Sequence, residues 1–156
     1  MGAEQQSQKV CSSIMGVWGA MSTAMASHEE ATRQPAVLVV EDEILIRSAL
    51  AEFLRGAGYR VIEAADAGEA VAVFASGTQI DLVFSDINMP GTMDGIGLVR
   101  WIADHHPGIQ VILTSAISHA RRAGLSGASF LPKPYRLAEA VRRIASLLNH
   151  PPREDA

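Results

Sequence analysis

The chain has 156 residues, of which 48% are hydrophobic and 19% are charged, as in an ordinary globular domain. Its net charge of −4 excludes the strongly basic surface of a general nucleic-acid binder. The one cysteine, Cys11, excludes an internal disulfide and fits the reducing environment of the cytoplasm, where we expect the protein to act.

Residues 1–34 differ in composition from the rest of the chain. They are rich in Ser, Ala, Met and Gln without a sustained period, which predicts a disordered leader or a start codon assigned too early, with Met25 as the true start. Interrupting serines and glycines and the acidic Glu4 argue against a signal peptide, and the stretch is too polar to span a membrane. We therefore expect a folded domain at 35–149 and a polar tail at 150–156.

Apolar runs alternate with helical patterns along the rest of the sequence. Asp66 and Glu69 predict a capping box for the second helix, and Asp94 should cap the third. The segment 116–127 is a poor helix former. Five segments predict strands, at 36–40, 59–64, 80–86, 109–115 and 128–132, and the continuous apolar run of the first predicts a strand covered on both faces. The predicted helices lie within 43–58, run from Asp66 to Phe74, cover Gly95–His105, and carry the stripe Leu137, Val141, Ile144 and Leu148 to an end near His150.

This alternation predicts an α/β fold with a parallel sheet and helices on both faces. Such folds place their sites at the carboxyl ends of the strands. Three carboxylates stand at predicted strand ends, Glu41 and Asp42 after the first strand and Asp86 on the third. Like charges this close repel unless a hard cation lies among them, and oxygen ligands of this kind favour Mg²⁺ over zinc.

Each of these residues also has a plainer interpretation when it is taken alone. Asp42 and Glu43 could simply cap the following helix, and a hydroxyl at the end of the fourth strand, from Thr114 or Ser115, could cap a turn. Lys133, after the fifth strand, could be a solvated surface charge. Their convergence at one edge of the sheet favours a functional site.

The motifs at the strand ends resemble the receiver domain of two-component response regulators. The resemblance covers nearly all of residues 36–149 and rests on four segments in order, "VLVVEDE", "DLVFSDINMPGTMDGIGL", "VILTSA" and "FLPKPY". It implies a flavodoxin-like, doubly wound sheet of five parallel strands in the order 2-1-3-4-5. No sequence characteristic of an output domain follows, so we expect a receiver that stands alone.

The resemblance implies a role for each residue at the acidic edge. Asp86 would be the phosphoacceptor, and its product would be an acyl phosphate. Asp42 would bind Mg²⁺ directly, Glu41 through a water molecule, and Asn88 through its backbone carbonyl. The ammonium group of Lys133 would neutralise charge on the other side of the phosphoryl group.

Further implied roles concern the fourth and fifth strands. The hydroxyl that donates to the phosphoryl group is expected from Ser115, which precedes an alanine, with Thr114 as the alternative. Phe130 occupies the position of the switch aromatic, although it could be plain core. The Lys133–Pro134 peptide would be cis.

Three features depart from the usual family pattern. The loop "PGTMDG" after the third strand has one extra residue, and the stretch from Ser115 to Lys133 is about one helical turn shorter than usual, so the fourth helix of the family could be stunted or irregular. Phe130 replaces a tyrosine, so any switch would work without a hydroxyl.

The predicted function is therefore phosphorelay signalling. The domain would accept a phosphoryl group on Asp86 from a histidine kinase or a histidine phosphotransfer protein, and would then bind a partner or pass the phosphate on. It would not be an enzyme beyond assisting its own phosphorylation and dephosphorylation, and we expect neither nucleic acid nor membrane as a partner.

Two alternatives belong to other functional classes. A haloacid-dehalogenase-like phosphohydrolase also uses an aspartate nucleophile and Mg²⁺, but it has a second aspartate two positions on, where this chain has Asn88. A receiver that only binds proteins, independently of phosphorylation, is disfavoured because all the acceptor-site residues are present.

Overall fold

A parallel sheet organises the part of the chain that we describe, residues 33–116 and 127–151 of a computed structural model. The strand order is β2-β1-β3-β4-β5, which confirms the flavodoxin-like fold predicted from the sequence. The strands are β1 (Ala36–Val40), β2 (Arg60–Ala64), β3 (Leu82–Asp86), β4 (Gln110–Ser115) and β5 (Ala128–Pro132).

Three of these strands begin later than predicted, by one residue for β2 and β4 and by two for β3. At β3 the reason is a local pairing, because the Asp81 backbone donates to the carbonyl of Ala36 and the Asp81 carboxylate accepts from the Ala36 N–H. These bonds use the side chain of Asp81, so the regular ladder starts one residue later, at Leu82.

Four helices pack on the sheet in the described ranges, namely α1 (Ile44–Gly56), α2 (Ala67–Ala75), α3 (Gly95–His105) and α4 (Leu137–Leu148). Asp66 caps α2 by accepting a hydrogen bond from the Glu69 N–H at 2.8 Å, and the Glu69 carboxylate accepts one from the N–H of Ala65 at 2.7 Å. Asp94 caps α3 through the N–H of Gly97 at 2.8 Å. Both predicted caps are present.

The last helix ends at Leu148, in agreement with the predicted end near His150. Asn149 adopts a left-handed conformation with φ 49°, which ends α4 at Leu148. The chain then turns onto the domain, because the hydroxyl of Tyr59 donates to the carbonyl of His150 at 3.1 Å.

Apolar side chains cover both faces of the sheet, as the continuous apolar strands require. Successive residues of β1 alternate between the faces, so that Val39 joins one core and Val40 the other. The α1 and α4 side contains Leu50, Leu54, Val141 and Ile144, and the α2 and α3 side contains Ala70, Phe74, Leu98 and Ile102. Because helices cover both faces of the sheet, the residues at the carboxyl ends of the strands lie together at one edge that the helices do not cover.

The compact unit that holds this sheet begins at Gln34. The interpretation of residues 1–34 as a leader and that of 116–127 as a stunted helix fall almost entirely outside the described residues, as does most of the tail at 150–156. Within the described part of the chain, no helix is both long and apolar enough to cross a membrane.

Candidate functional site

Asp86 ends β3 as a buried carboxylate, with 7% of its surface exposed. Its neighbour in β4 is Thr114, and the N–H of Ile87 donates to the Thr114 carbonyl at 2.9 Å, which fixes the backbone on both sides of Asp86. The Oδ2 atom accepts a hydrogen bond from Lys133 at 2.9 Å. The Oδ1 atom is buried and has no hydrogen-bond partner among the described residues.

Lys133 bridges two carboxylates. Its Nζ lies 2.9 Å from Asp86 Oδ2 and 3.0 Å from Glu41 Oε2. The backbone is held by a hydrogen bond from the Lys133 N–H to the carbonyl of Ser115, and the peptide to Pro134 is cis, as the family resemblance implied. Burial lowers the pKa of Lys133, but the hydrogen bonds to Asp86 and Glu41 and their charges together raise it above its ordinary value.

Glu41 is the second buried carboxylate of the site, with 5% of its surface exposed. Burial raises the pKa of Glu41, and the nearby charge of Asp86 acts in the same direction, while Lys133 partly opposes the shift. A raised pKa means that the ionised form of Glu41 is less stable here than in water, so additional positive charge would stabilise the site.

The geometry of the acidic residues fits a hard cation. One carboxylate oxygen from each of Glu41, Asp42 and Asp86 can be chosen so that all three lie within 4.8 Å of one another. Two of these groups are buried and Asp42 is exposed, so the cluster opens to solvent on one side. The unbonded Asp86 Oδ1 is a buried acceptor in need of a partner. Oxygen donors with room for water are what Mg²⁺ prefers.

Three of the implied site residues are placed near this cluster, but their roles stay predictions. Ser115 ends β4, next to the Lys133 backbone that it binds. The hydroxyl of Thr114 donates to the carbonyl of Ser85 at 3.5 Å, and Ser115 and Thr114 both remain candidates for the phosphate-binding hydroxyl. Asn88 is exposed in the turn two residues beyond Asp86.

Phe130 lies opposite Leu113 in the sheet and is only partly buried. It packs against the core on the α2 and α3 side. This position is compatible with plain core packing and with a switch, the two interpretations that the sequence left open.

Asp42 and Glu43 do not act as the simple helix cap that the sequence also allowed. Glu43 is the N-cap residue of α1, yet within the described residues its side chain makes no capping hydrogen bond. Asp42 instead belongs to the acidic cluster with Glu41 and Asp86.

Gly95 supports the site in a way that sequence reasoning missed. A Cβ atom at this position would overlap the carbonyl oxygen of Asp86 and would lie 2.8 Å from the Cα of Ile87. The N–H of Gly95 also donates to the Ile87 carbonyl at 3.0 Å. The first residue of α3 therefore packs directly on the backbone that carries Asp86, and only the glycine itself, at a predicted helix start, could have signalled this.

Fold and site together define a doubly wound α/β domain with a cluster of carboxylates, two of them bridged by a lysine, at the switch point of its sheet. The sequence model of the response regulator receiver domain matches residues 37–145. The chain belongs to this family.

Curated relatives include regulators and a kinase. The chain is 39% identical over 118 residues to the DNA-binding transcriptional regulator NtrC of Salmonella typhimurium, covering 73% of this chain and 25% of NtrC. It is 36% identical to the sensor kinase CckA of Brucella abortus (72% of this chain, 12% of CckA) and 35% identical to the regulatory protein PdtaR of Mycobacterium tuberculosis (69% and 54%). The chain thus spans a quarter of NtrC and about half of PdtaR.

Solved structures agree with this assignment. The response regulator TrrA of Thermotoga maritima, in complex with Mg²⁺ and BeF, superposes with a TM-score of 0.67 at 32% identity, over 74% of this chain and 100% of TrrA. The chemotaxis protein CheY4 of Vibrio cholerae gives 0.66 at 27% identity, over 74% of this chain and 100% of CheY4.

Proposed function

We propose that the domain accepts a phosphoryl group on Asp86 from the phosphohistidine of a histidine kinase or a histidine phosphotransfer protein. The state of the Asp86 carboxylate is the observation that carries this proposal. One oxygen accepts a hydrogen bond from Lys133, and the other is buried beside two further carboxylates with no partner among the residues that the structure describes. A kinase and transcriptional regulators among the relatives support a place in two-component signalling.

The reaction is a transfer between two protein side chains. A carboxylate oxygen of Asp86 forms a bond to phosphorus while the P–N bond of the donor breaks, and the bonding electron pair stays on the imidazole nitrogen of the donor. The product is an acyl phosphate. Because little covalent chemistry is asked of the protein, positioning and neutralisation of charge supply most of the rate.

Mg²⁺ is the cofactor that this donor set suits. Asp42 and Asp86 would bind it directly, Glu41 through a water molecule, and Asn88 through its backbone carbonyl. When bound, the cation offsets the negative charge of the carboxylates and of the phosphoryl oxygens. A relative that was solved with Mg²⁺ and BeF supports this choice.

The remaining site residues act on the phosphoryl group itself. Lys133, already within 2.9 Å of Asp86, would pair with a phosphoryl oxygen, and Ser115 would donate a hydrogen bond from its hydroxyl. A shift of Ser115 towards the phosphoryl group would leave space for Phe130, and this movement would change the surface offered to a downstream partner.

The signalling role sets the limits of the activity. The domain would assist its own phosphorylation and dephosphorylation without acting as an enzyme on other substrates. It would work in the cytoplasm, with proteins as partners and without contacting nucleic acid or membrane. Its output would be altered partner binding or transfer of the phosphate to another protein.

Intact-mass spectrometry after incubation with acetyl phosphate and Mg²⁺ tests the proposal. We expect wild type to gain one phosphoryl group and Asp86→Asn to gain none, because an amide is not a nucleophile of this kind. Asp94→Asn is the matched control, since Asp94 is an exposed aspartate that caps α3, and it should be phosphorylated like wild type.

Two results would contradict the assignment. A phosphoryl adduct retained by Asp86→Asn would place the acceptor elsewhere. No adduct on wild type, with Mg²⁺ present, would favour a receiver that binds proteins independently of phosphorylation.

A further inference from the structure

Arg47, in the first turn of α1, contacts the backbone of the acidic pair. Its Nη1 donates a hydrogen bond to the main-chain carbonyl of Glu41 at 2.6 Å. Only 14% of the Arg47 side chain is exposed, so the contact is largely shielded from water. A charge-assisted hydrogen bond of this length is among the stronger ones found in proteins.

Glu63 on β2 orients the same guanidinium group from the other side. Its Oε2 lies 3.7 Å from Nε of Arg47, and its Oε1 accepts a hydrogen bond from Arg55 at 2.9 Å. Arg55 also donates to the carbonyl of Val61 at 3.3 Å. Arg47 is therefore one of two arginines on α1 that hold Glu63, but it differs from Arg55 in reaching the acidic edge of the sheet.

Each polar group of Glu41 has a hydrogen-bond partner. Its N–H donates to the carbonyl of Ala64 at 3.2 Å and its carbonyl accepts from Arg47. Its Oε1 accepts from the N–H of Glu43 at 3.4 Å, and its Oε2 accepts from Lys133. The Glu41 carbonyl belongs to the peptide that leads into Asp42. Because a peptide unit is planar, fixing this oxygen fixes the direction in which the chain enters Asp42.

Asp42 itself depends on this arrangement. Its side chain is exposed, unlike those of Glu41 and Asp86, so surrounding side chains do little to orient it. The orientation of the preceding peptide therefore contributes to where the Asp42 carboxylate lies. A plain helix-stabilising ion pair would not need to touch this peptide, as Arg55 illustrates.

We propose that Arg47 is a positioning residue, which fixes the Glu41–Asp42 peptide so that the two carboxylates present their oxygens to a divalent cation. This inference rests on the proposed function, since it assumes that the acidic cluster binds Mg²⁺. Arg47 acts through the peptide, and it touches neither the cation nor the phosphoryl group.

Mg²⁺ titration of variants tests the inference with the whole chain. Affinity is read by isothermal titration calorimetry and by the rise in melting temperature with Mg²⁺, and urea unfolding without Mg²⁺ checks the fold. Arg47→Met should weaken Mg²⁺ binding about tenfold, as loss of a residue that orients metal ligands does elsewhere. Arg47→Gln, whose shorter side chain lacks the guanidinium group, should weaken it similarly, which covers the case that the methionine variant folds poorly.

Arg55→Met is the matched control. Arg55 lies on the same helix as Arg47 and binds the same residue, Glu63, but it does not contact Glu41. As an exposed ion pair contributes little, its Mg²⁺ affinity should stay within about twofold of wild type. Mg²⁺ binding by both Arg47 variants that matches Arg55→Met would overturn the positioning role while leaving the acidic site intact. Wild type that fails to bind Mg²⁺ would overturn both the positioning role and the proposed function.

Discussion

Asp81 and Asp86 stand at opposite ends of β3 with the same side chain and different surroundings. Asp81, just before the strand, accepts the N–H of Ala36 at 2.6 Å and donates its own N–H to the Ala36 carbonyl. Asp86, at the other end, is buried beside Glu41 and shares Lys133 with it, and its Oδ1 has no partner in the described part of the chain.

The difference shows that the two ends of one strand carry carboxylates of different kinds, one that stabilises the fold and one with an oxygen left for a ligand. A carboxylate that is paired with backbone N–H groups stabilises the fold and has little capacity left for a ligand. A buried carboxylate with an unpaired oxygen among like charges costs stability, and such a cost is typical of sites prepared for a ligand. The amino end of β3 is thus bonded to β1, and at the carboxyl end a buried carboxylate oxygen has no partner among the described residues.

The largest loss of stability should come from a side chain placed where α3 packs against the carboxyl end of β3. Gly95→Ala would place a methyl group into the Asp86 carbonyl, so the backbone must shift, and we expect a loss of about 3 kcal/mol in the free energy of unfolding. Urea denaturation measures this loss, and the rate of acetyl phosphate labelling should fall as well.

Gly97→Ala gives the comparison within the same helix. A Cβ at Gly97 would lie 2.8 Å from Cγ of Met93 and 3.4 Å from Oδ1 of Asp94, which are side-chain atoms and not backbone, and rotation of the Met93 side chain can relieve the closer contact. Its cost should stay below about 1 kcal/mol, because the alanine also improves helix propensity. Equal costs for Gly95→Ala and Gly97→Ala would refute the close packing of α3 on Asp86.

A smaller effect is expected at the amino end of β3. Asp81→Ala leaves the Ala36 N–H without its carboxylate partner and should lower the free energy of unfolding by about 2 kcal/mol. Phosphorylation of Asp86 should continue, since Asp81 lies at the opposite end of the strand. Chemical denaturation and labelling with acetyl phosphate, run in parallel, separate the two readouts.

Asp86→Ala, unlike Asp81→Ala, should not lower the free energy of unfolding. Without Mg²⁺ its stability should equal or exceed that of wild type, because Lys133 keeps Glu41 as a partner and one buried like charge is gone. A stability loss as large as that of Asp81→Ala, in the absence of Mg²⁺, would contradict the contrast between the two ends.

The smallest effect concerns Tyr135, whose hydroxyl is also buried without a partner among the residues described. The ring packs edge-on against Phe84 at 5.6 Å, and burial raises the pKa of Tyr135 to about 12. Tyr135→Phe keeps the ring and removes the unpaired hydroxyl, so at neutral pH the free energy of unfolding should change by less than about 1 kcal/mol.

The pH dependence of this variant follows from the raised pKa. The unfolded chain releases the Tyr135 proton near pH 10, whereas the folded protein keeps it to about pH 12, so wild type loses stability as the pH rises through this range. Tyr135→Phe should lose less stability between pH 10 and 12. Identical alkaline unfolding curves for the two proteins would show that the hydroxyl is not buried.

Sequence patterns predicted much of this molecule because its signals are local. Continuous apolar runs marked the covered strands, and the caps Asp66 and Asp94 marked two helix starts. The family motifs gave the strand order. Strand and helix ends were less accurate, because pairings such as that of Asp81 with Ala36 join residues 45 positions apart.

The contacts that complete the site could not be predicted in the same way. The sequence pattern predicts Arg47 only as a residue of the first helix, and its spacing does not indicate that it binds the Glu41 carbonyl. Gly95 is predicted as the first residue of a helix, but its packing on Asp86 depends on how α3 approaches β3. Such contacts depend on side-chain conformations and on distances between elements, which a residue pattern does not specify.

By itself, therefore, the sequence determined which strands and helices follow one another along the chain, because hydrophobic periodicity is a property of the sequence. It also determined which chemical groups stand at the strand ends, because these are given by residue type. Only the tertiary structure decided that Lys133 lies between Glu41 and Asp86 and that one oxygen of Asp86 has no partner within residues 33–116 and 127–151. The physical reason is that hydrogen bonding and desolvation depend on distances of a few ångströms between distant parts of the chain, and packing alone sets those distances.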